Sequence, residues 1–246
     1  MKYSLMLGDK GIYQWQYELG SKAWPEFMQH DKIVENHWPD LYNAFLHLQF
    51  ALFDQEVLVG VGNSVCLNWS KPLSELPDTG LDWAMQKAHQ DHIEGLTPDL
   101  QVGVQILINP DYRGQGISYK MLGIMKDIAM TNGIKNIALP VRPNLKSAYP
   151  AMDIKEYIDR KNKDGLPFDP WIRVHVNDGG KIIGICSKSM TIEGSIIDWE
   201  TWTGKEFPES GEYIVENALI PVKMDKLHDR GIYIEPNVWI IHEIAH

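Results

Sequence analysis

The chain has 246 residues, 44% of them hydrophobic, and a formal net charge of -10. This is enough apolar chain for one packed domain, and the acidic balance argues against nucleic-acid backbone binding as the main task. Two cysteines, Cys66 and Cys186, are too few for a disulfide framework, and no run has signal-peptide or membrane-span character, so a reduced, cytoplasmic setting without a membrane is expected.

Taken in order, residues 24–34 read as a short helix with Pro25 in its first turn, and residues 37–46 as another. Residues 48–53 and 57–69 flank Asp54-Gln55 and predict a hairpin. After a loop at 72–80, Asp82 is placed to cap a helix that runs to His92 and stops at Gly95. Residues 101–108 form a strand, 117–132 a helix closed by Gly133, and 135–141 a second strand bracketed by Pro140 and Pro143. A helix follows at 153–163, ended by Gly165. Trp171, Arg173 and His175 then alternate with Ile172, Val174 and Val176, which predicts a strand turning through 177–180 into another at 181–186. Ser195 caps a helix through Trp202 that Gly204 stops, and 218–222 and 238–244 are strand-like. No linker divides the chain, so residues 178–246 are expected against the same core.

The most informative segment lies between the strand 101–108 and the helix 117–132. It reads Asn109-Pro-Asp-Tyr-Arg113-Gly114-Gln115-Gly116-Ile117-Ser118. A strand, a glycine-bearing turn and a helix start make an anion site, because the first N–H groups of a helix are unpaired and its dipole favours negative charge there. Gly114 and Gly116 lack a Cβ, which lets the backbone close on a phosphate. The Gly-Lys-Ser/Thr of a P-loop is absent, and so is Gly-x-Gly-x-x-Gly. The remaining pattern resembles the pyrophosphate motif (Gln/Arg-x-x-Gly-x-Gly/Ala) of the GNAT superfamily of acyl-CoA-dependent acyltransferases. Arg113, Gly116 and Ser118 fall on its defining positions, with Ser118 departing from Gly/Ala at the last.

That resemblance implies an α/β (α+β) fold: a mixed, largely antiparallel sheet flanked by helices, with strands 101–108 and 135–141 central, parallel and splayed apart. It covers residues 24–177, leaving 178–246 as a C-terminal addition packed on the same core. It implies acetyl-CoA or another acyl-CoA as co-substrate, no metal, and direct transfer to a small-molecule acceptor, an amine. The pyrophosphate would lie on the N–H groups of Arg113, Gly114, Gln115, Gly116, Ile117 and Ser118. The thioester carbonyl would meet free N–H groups near Ile106, Leu107 and Ile108. Asn144 and Tyr149 match, at shorter spacing, the family's Asn and Tyr after the second splayed strand; Tyr149 would protonate the leaving sulfur. No acidic residue lies on 101–108, so His175, with a near-neutral intrinsic pKa, stands as the candidate base. The alternatives are a non-catalytic acyl-CoA-binding or regulatory module, or another reaction of acyl-CoA on the same fold, such as transfer to a hydroxyl or a decarboxylation. Oligomeric state is open, a homodimer being the commonest closed assembly.

Three other signals carry less. His242-Glu-Ile-Ala-His246 matches His-Glu-x-x-His, but it follows the β-branched run 238–241, where two histidines would not share a helix face. His89 and His92, three apart on a predicted helix, lack a third ligand, and Cys66 reads as core. The Trp199, Trp202 and Trp239 regions are candidates for an aromatic wall of the acceptor pocket.

Overall fold

The computed structural model describes residues 3–244. In chain order the elements are β1 (Ser4–Leu7), α1 (Ile12–Ala23), α2 (Lys32–Leu41), β2 (Phe50–Asp54), β3 (Val57–Leu67), α3 (Gly80–Ile93), β4 (Leu100–Ile108), α4 (Ile117–Thr131), β5 (Asn136–Val141), α5 (Ile154–Asp159), α6 (Pro170–Asn177), β6 (Lys181–Gly194), α7 (Ile196–Thr203), β7 (Gly211–Tyr213), β8 (Val222–Asp225) and β9 (Arg230–Glu243). They form one mixed sheet ordered β1-β2-β3-β4-β5-β9-β8-β7, with β6 also paired to β9. Among these pairs only β4–β5 is parallel. This is the mixed, largely antiparallel sheet expected.

The parallel pair is short. Leu100, Gln101 and Val102 face Asn136, Ile137 and Ala138, and there the pairing ends. Beyond that point β4 stays on β3 as far as Ile108 opposite Gly60, while β5 stays on β9 as far as Val141 opposite Val238. The two strands therefore part. The register between β3 and β4 shifts at Asn63/Ser64 opposite Gln105 and Gly103, and such a bulge bends its strand. Pro140 lies past the last β4 partner, where β5 has no neighbour on that side to receive an N–H.

The β2–β3 pairing ends at Phe50 opposite Gly62, and beyond it the Gln49 side chain serves the buried backbone of Ser64. Its Nε2 donates to the Ser64 carbonyl (2.8 Å) and the Phe45 carbonyl (2.6 Å), and its Oε1 accepts from Ser64 N–H and Asn63 Nδ2 (both 3.1 Å). Gln49, Asn63 and Ser64 are fully buried, so these bonds replace water.

A second buried polar tie joins α2 and α3 to β6. Asp31 caps α2 through Ile33 N–H (3.0 Å) and Val34 N–H (3.1 Å) and accepts from Thr191 N–H on β6 (3.1 Å). Asp82 lies against it. Burial and then the Asp31 charge push the Asp82 carboxyl up to about 9, so Asp82 is a neutral acid that donates to Asp31.

Several expected elements change. Residues 24–34 are not one helix: a 3₁₀ turn spans Glu26–His30, and Asp31 starts α2, which runs through His37 to Leu41. The helix α1 and the edge strands β1 and β7 were not foreseen. The predicted helix 153–163 is only Ile154–Asp159, and the 218–222 strand is instead Val222–Asp225. Asp82 sits inside the first turn of α3 rather than at its cap. The predicted strand at 171–176 is the helix α6, because Asp169 Oδ1 accepts from Trp171 and Ile172 N–H and Pro170 occupies the first turn. Residues 181–243 supply β6 to β9, and β9 pairs directly with β5, so this part of the chain extends the same sheet beyond β5. No helix among the described residues is long and apolar enough to cross a membrane.

Candidate active site

Where β4 and β5 part, the wedge opens into a cleft of about 1040 Å³. Its walls are β4 from Gly103 to Ile108, the end of β5, the glycine turn before α4, the end of α1 and one face of α6. Of the residues expected to hold the cofactor, Ile106, Leu107, Ile108, Arg113, Gly114, Ile117, Ser118 and Asn144 line it.

The turn leaves its backbone open to the cleft. Asn109 anchors it by donating from Nδ2 to the Leu58 carbonyl (2.9 Å) and accepting Asp111 N–H on Oδ1 (3.1 Å). Gln115 turns its side chain back to the Asp111 carbonyl (3.0 Å). Gly114 and Gly116 sit at φ +73° and +76°, a backbone state that favours glycine, and the space where a Cβ would stand is open at both. Gly116 caps α4 with no side chain, and the first turn of α4 carries no acidic residue, so its N–H groups remain available to an anion.

His175 lies on the deep side of the cleft, on a helix rather than the expected strand. It is fully buried. Its Nδ1 is 3.0 Å from Nε2 of His242 on β9, and its Nε2 has no partner among the described residues. His242 Nδ1 is 4.0 Å from Oδ2 of Asp178, which Lys126 Nζ holds at 2.6 Å. Burial, then the neighbouring His242 and Lys126, lower the His175 pKa well below the ordinary histidine value. Burial likewise lowers His242 to about 4. Both rings are neutral near pH 7, and one proton lies between them.

Tyr149 is not on the cleft wall. The 3₁₀ turn Lys146–Ala148 carries its ring to Tyr157 and Phe168, each 5.9 Å between centroids, and the Arg160 guanidinium covers it at 4.5 Å. The structure therefore does not bring Tyr149 together with His175, and the two expected catalytic residues do not form one constellation.

Three residues missed in the sequence complete the cleft. Arg142, just past β5, donates from Nε to both Glu235 oxygens (3.0 and 2.9 Å) and from Nη2 to the Asn217 carbonyl (2.6 Å). Glu235 is fully buried and also accepts from Tyr233 Oη (2.9 Å). Gln105 on β4 accepts Trp24 Nε1–H on Oε1 (3.2 Å), and its Nε2 has no partner among the described residues. Arg142 and Glu235 are 93 residues apart, so no local pattern announces the pair. The aromatic wall comes from Tyr13, Tyr17, Trp24, Trp38 and Trp171. Trp199 instead packs on Phe27, Trp202 stacks on His30, and Trp239 is held by the Pro77 carbonyl.

The other metal-like signals resolve differently. His242 is on a strand, and His246 lies outside the described residues. His89 pairs with Asp40 (2.8 Å) beside His37 rather than with His92, whose ring packs on Phe45. Cys66 is core on β3, its thiol pushed up to about 11 by burial.

No protein-family model matches the chain. A curated relative, the arginine N-acetyltransferase avaD of Aspergillus versicolor, is 29% identical over 252 residues, covering 91% of this chain and 86% of the relative. Among solved structures, the loading GNATL domain of CurA from Lyngbya majuscula superposes at a TM-score of 0.65 with 19% identity, covering 98% of both chains. The GphF GNAT-like decarboxylase in complex with isobutyryl-CoA gives a TM-score of 0.59 with 13% identity, covering 98% of this chain and all of that one. With its parted parallel pair and its side-chain-free glycine turn, the chain has the fold of these GNAT and GNAT-like structures.

Proposed function

We propose that this protein is an acyltransferase that moves the acyl group of acetyl-CoA, or another acyl-CoA, directly to an amine of a small molecule. The observation that carries the reading is a single cleft that runs from an uncapped glycine turn, along an unpaired strand edge, to a buried imidazole with a free nitrogen. The turn binds the pyrophosphate through backbone N–H groups. The edge of β4 beyond Val102 offers N–H groups to the thioester carbonyl, where charge develops during attack. The amine nitrogen bonds to the thioester carbon, and the C–S bond breaks. His175 Nε2 accepts the proton lost by the amine, His242 holds the ring in place through Nδ1, and the departing thiolate takes up a proton.

Fold alone does not select this reaction, since a protein named as a decarboxylase shares it. The curated relative, named for transfer to nitrogen, supports an amine acceptor. A module that only bound acyl-CoA would gain nothing from a fully buried histidine with an unpartnered nitrogen on a residue of the cleft wall, because such an atom is costly to leave unsatisfied.

The test is calorimetric titration with acetyl-CoA, with a Gly116→Asp variant alongside, followed by thiol-release assays over a panel of amines. Saturable binding lost in a folded Gly116→Asp variant, and turnover on an amine, are expected. A folded wild-type protein that binds neither acetyl-CoA nor longer acyl-CoAs would overturn the reading.

A further inference from the structure

We propose that the acceptor is an amino acid, and that Arg142 and Gln105 form the subsite for its carboxylate. The inference rests on the acyl-transfer reading above and names its substrate class. Arg142 comes from the β5 side of the cleft, Gln105 from the β4 side, and both line the space where the strands part. Trp24 joins them: its indole N–H fixes the Gln105 carbonyl oxygen at 3.2 Å, and its ring lies 5.9 Å from the Arg142 guanidinium carbon. Because the Gln105 oxygen is occupied, its amide –NH₂ is the end left for a ligand, and that Nε2 has no partner among the described residues. The Arg142 plane is fixed at two points, by Glu235 on Nε and by the Asn217 carbonyl on Nη2. None of these bonds uses Nη1. Two donor groups, one cationic and planar, held across a gap on an aromatic floor, match the two acceptor oxygens of a carboxylate.

The charges agree. Glu235 is wholly buried behind Arg142, so the guanidinium is held in place before any ligand arrives, and an incoming anion restores the pairing of its remaining donors. His175, the base for the acceptor nitrogen, lines the same cleft. An amino acid brings both an amine and a carboxylate to this cleft, and a plain amine leaves Gln105 Nε2 without a partner.

The test compares each of the twenty amino acids with its α-carboxamide. Turnover is measured at saturating acetyl-CoA, and binding to the CoA complex by calorimetry. The best amino acid is expected to exceed its carboxamide by about 30-fold in kcat/KM, the effect of losing a charge-assisted hydrogen-bond pair. Gln105→Met, and the paired change Arg142→Gln with Glu235→Gln, which leaves no buried carboxylate unpaired, are expected to bring that ratio near one while the acetyl-CoA dissociation constant holds. Equal use of acid and amide by the wild type, or variants that keep the ratio, would overturn the subsite while leaving acyl transfer standing. Carboxylate-selective binding without turnover would keep the subsite and sink the transfer reading. Absence of acetyl-CoA binding would sink both.

Discussion

Replacing Gln49 with Leu tests whether one side chain satisfies the buried backbone of β3 at Ser64. The substitution keeps the volume apolar and removes the amide that satisfies Ser64 N–H, the Ser64 carbonyl, the Phe45 carbonyl and Asn63 Nδ2. Asn63 keeps a second bond, to Tyr42 Oη at 2.9 Å, so its loss counts least. The other three are buried backbone groups, two on Ser64 beyond the last β2–β3 pair and one on Phe45 ahead of β2. At about 1–3 kcal/mol for each buried group left unpaired, discounted for relaxation, the variant should lose roughly 3–5 kcal/mol. That is a large part of the ~5–15 kcal/mol that holds a typical domain together. Urea unfolding followed by tryptophan fluorescence measures it, with the midpoint falling and the m-value unchanged. Gln49→Glu should fall between the two near neutral pH and recover as the carboxyl is protonated in acid, since only the neutral acid can donate to a carbonyl. A loss under about 1 kcal/mol for Gln49→Leu would show that water or a local shift satisfies these groups, and the account of Gln49 as the partner of the Ser64 backbone would fail.

Two further outcomes follow from the titratable groups. His175→Gln should lower kcat by about 10²–10⁴-fold with a smaller change in acetyl-CoA affinity, and the acid limb of the wild-type kcat/KM profile should lie below pH 6.5, because burial lowers the pKa of the base; an acid limb at or above pH 6.5 would remove His175 from that role. Asp82 binds its proton more tightly folded than unfolded, so between about 3.8 and about 9 folding takes up a proton and stability from this group falls as pH rises. Asp82→Asn donates to Asp31 without needing that proton, so its stability relative to wild type should rise with pH across this window, by at most ~1.4 kcal/mol per pH unit. A difference that is flat from pH 5 to 8 in denaturant titrations would refute the shared-proton arrangement.

The glycine turn was legible because everything that makes it is local. A β-branched run, two glycines at positive φ and a following amphipathic helix lie within one stretch of chain. The segment 171–176 was misread for an equally local reason: six residues of alternating character satisfy period two and also place Ile172 and His175 on one helical face. The Asp169-Pro170 cap decides between them, and it carried more information than the alternation. The helix α1 escaped notice because its N-terminus has no side-chain cap and no acidic residue in the first turn. β6 and β9 are each 14 residues long, and their extent depends on pairing with each other. The same limit hid the chemistry. His175 meets His242 across 67 residues and Arg142 meets Glu235 across 93, and only the assembled sheet brings either pair together.

The three register pairs between β4 and β5 divide the sheet almost in two. One half, β1 to β4, comes from the chain before residue 109, and the other, β5 to β9, from the chain after residue 135. At the apex, Gly103 has no side chain, and a Cβ there would stand 2.6 Å from Leu139 on the opposite half. Met125 would stand 2.9 Å from the same Cβ, so the two halves and α4 close on each other here only because position 103 carries no side chain. Such a joint lets descendants of this chain widen or narrow the space for an acyl group by exchanging volume at the apex, while each half keeps its own strands in register.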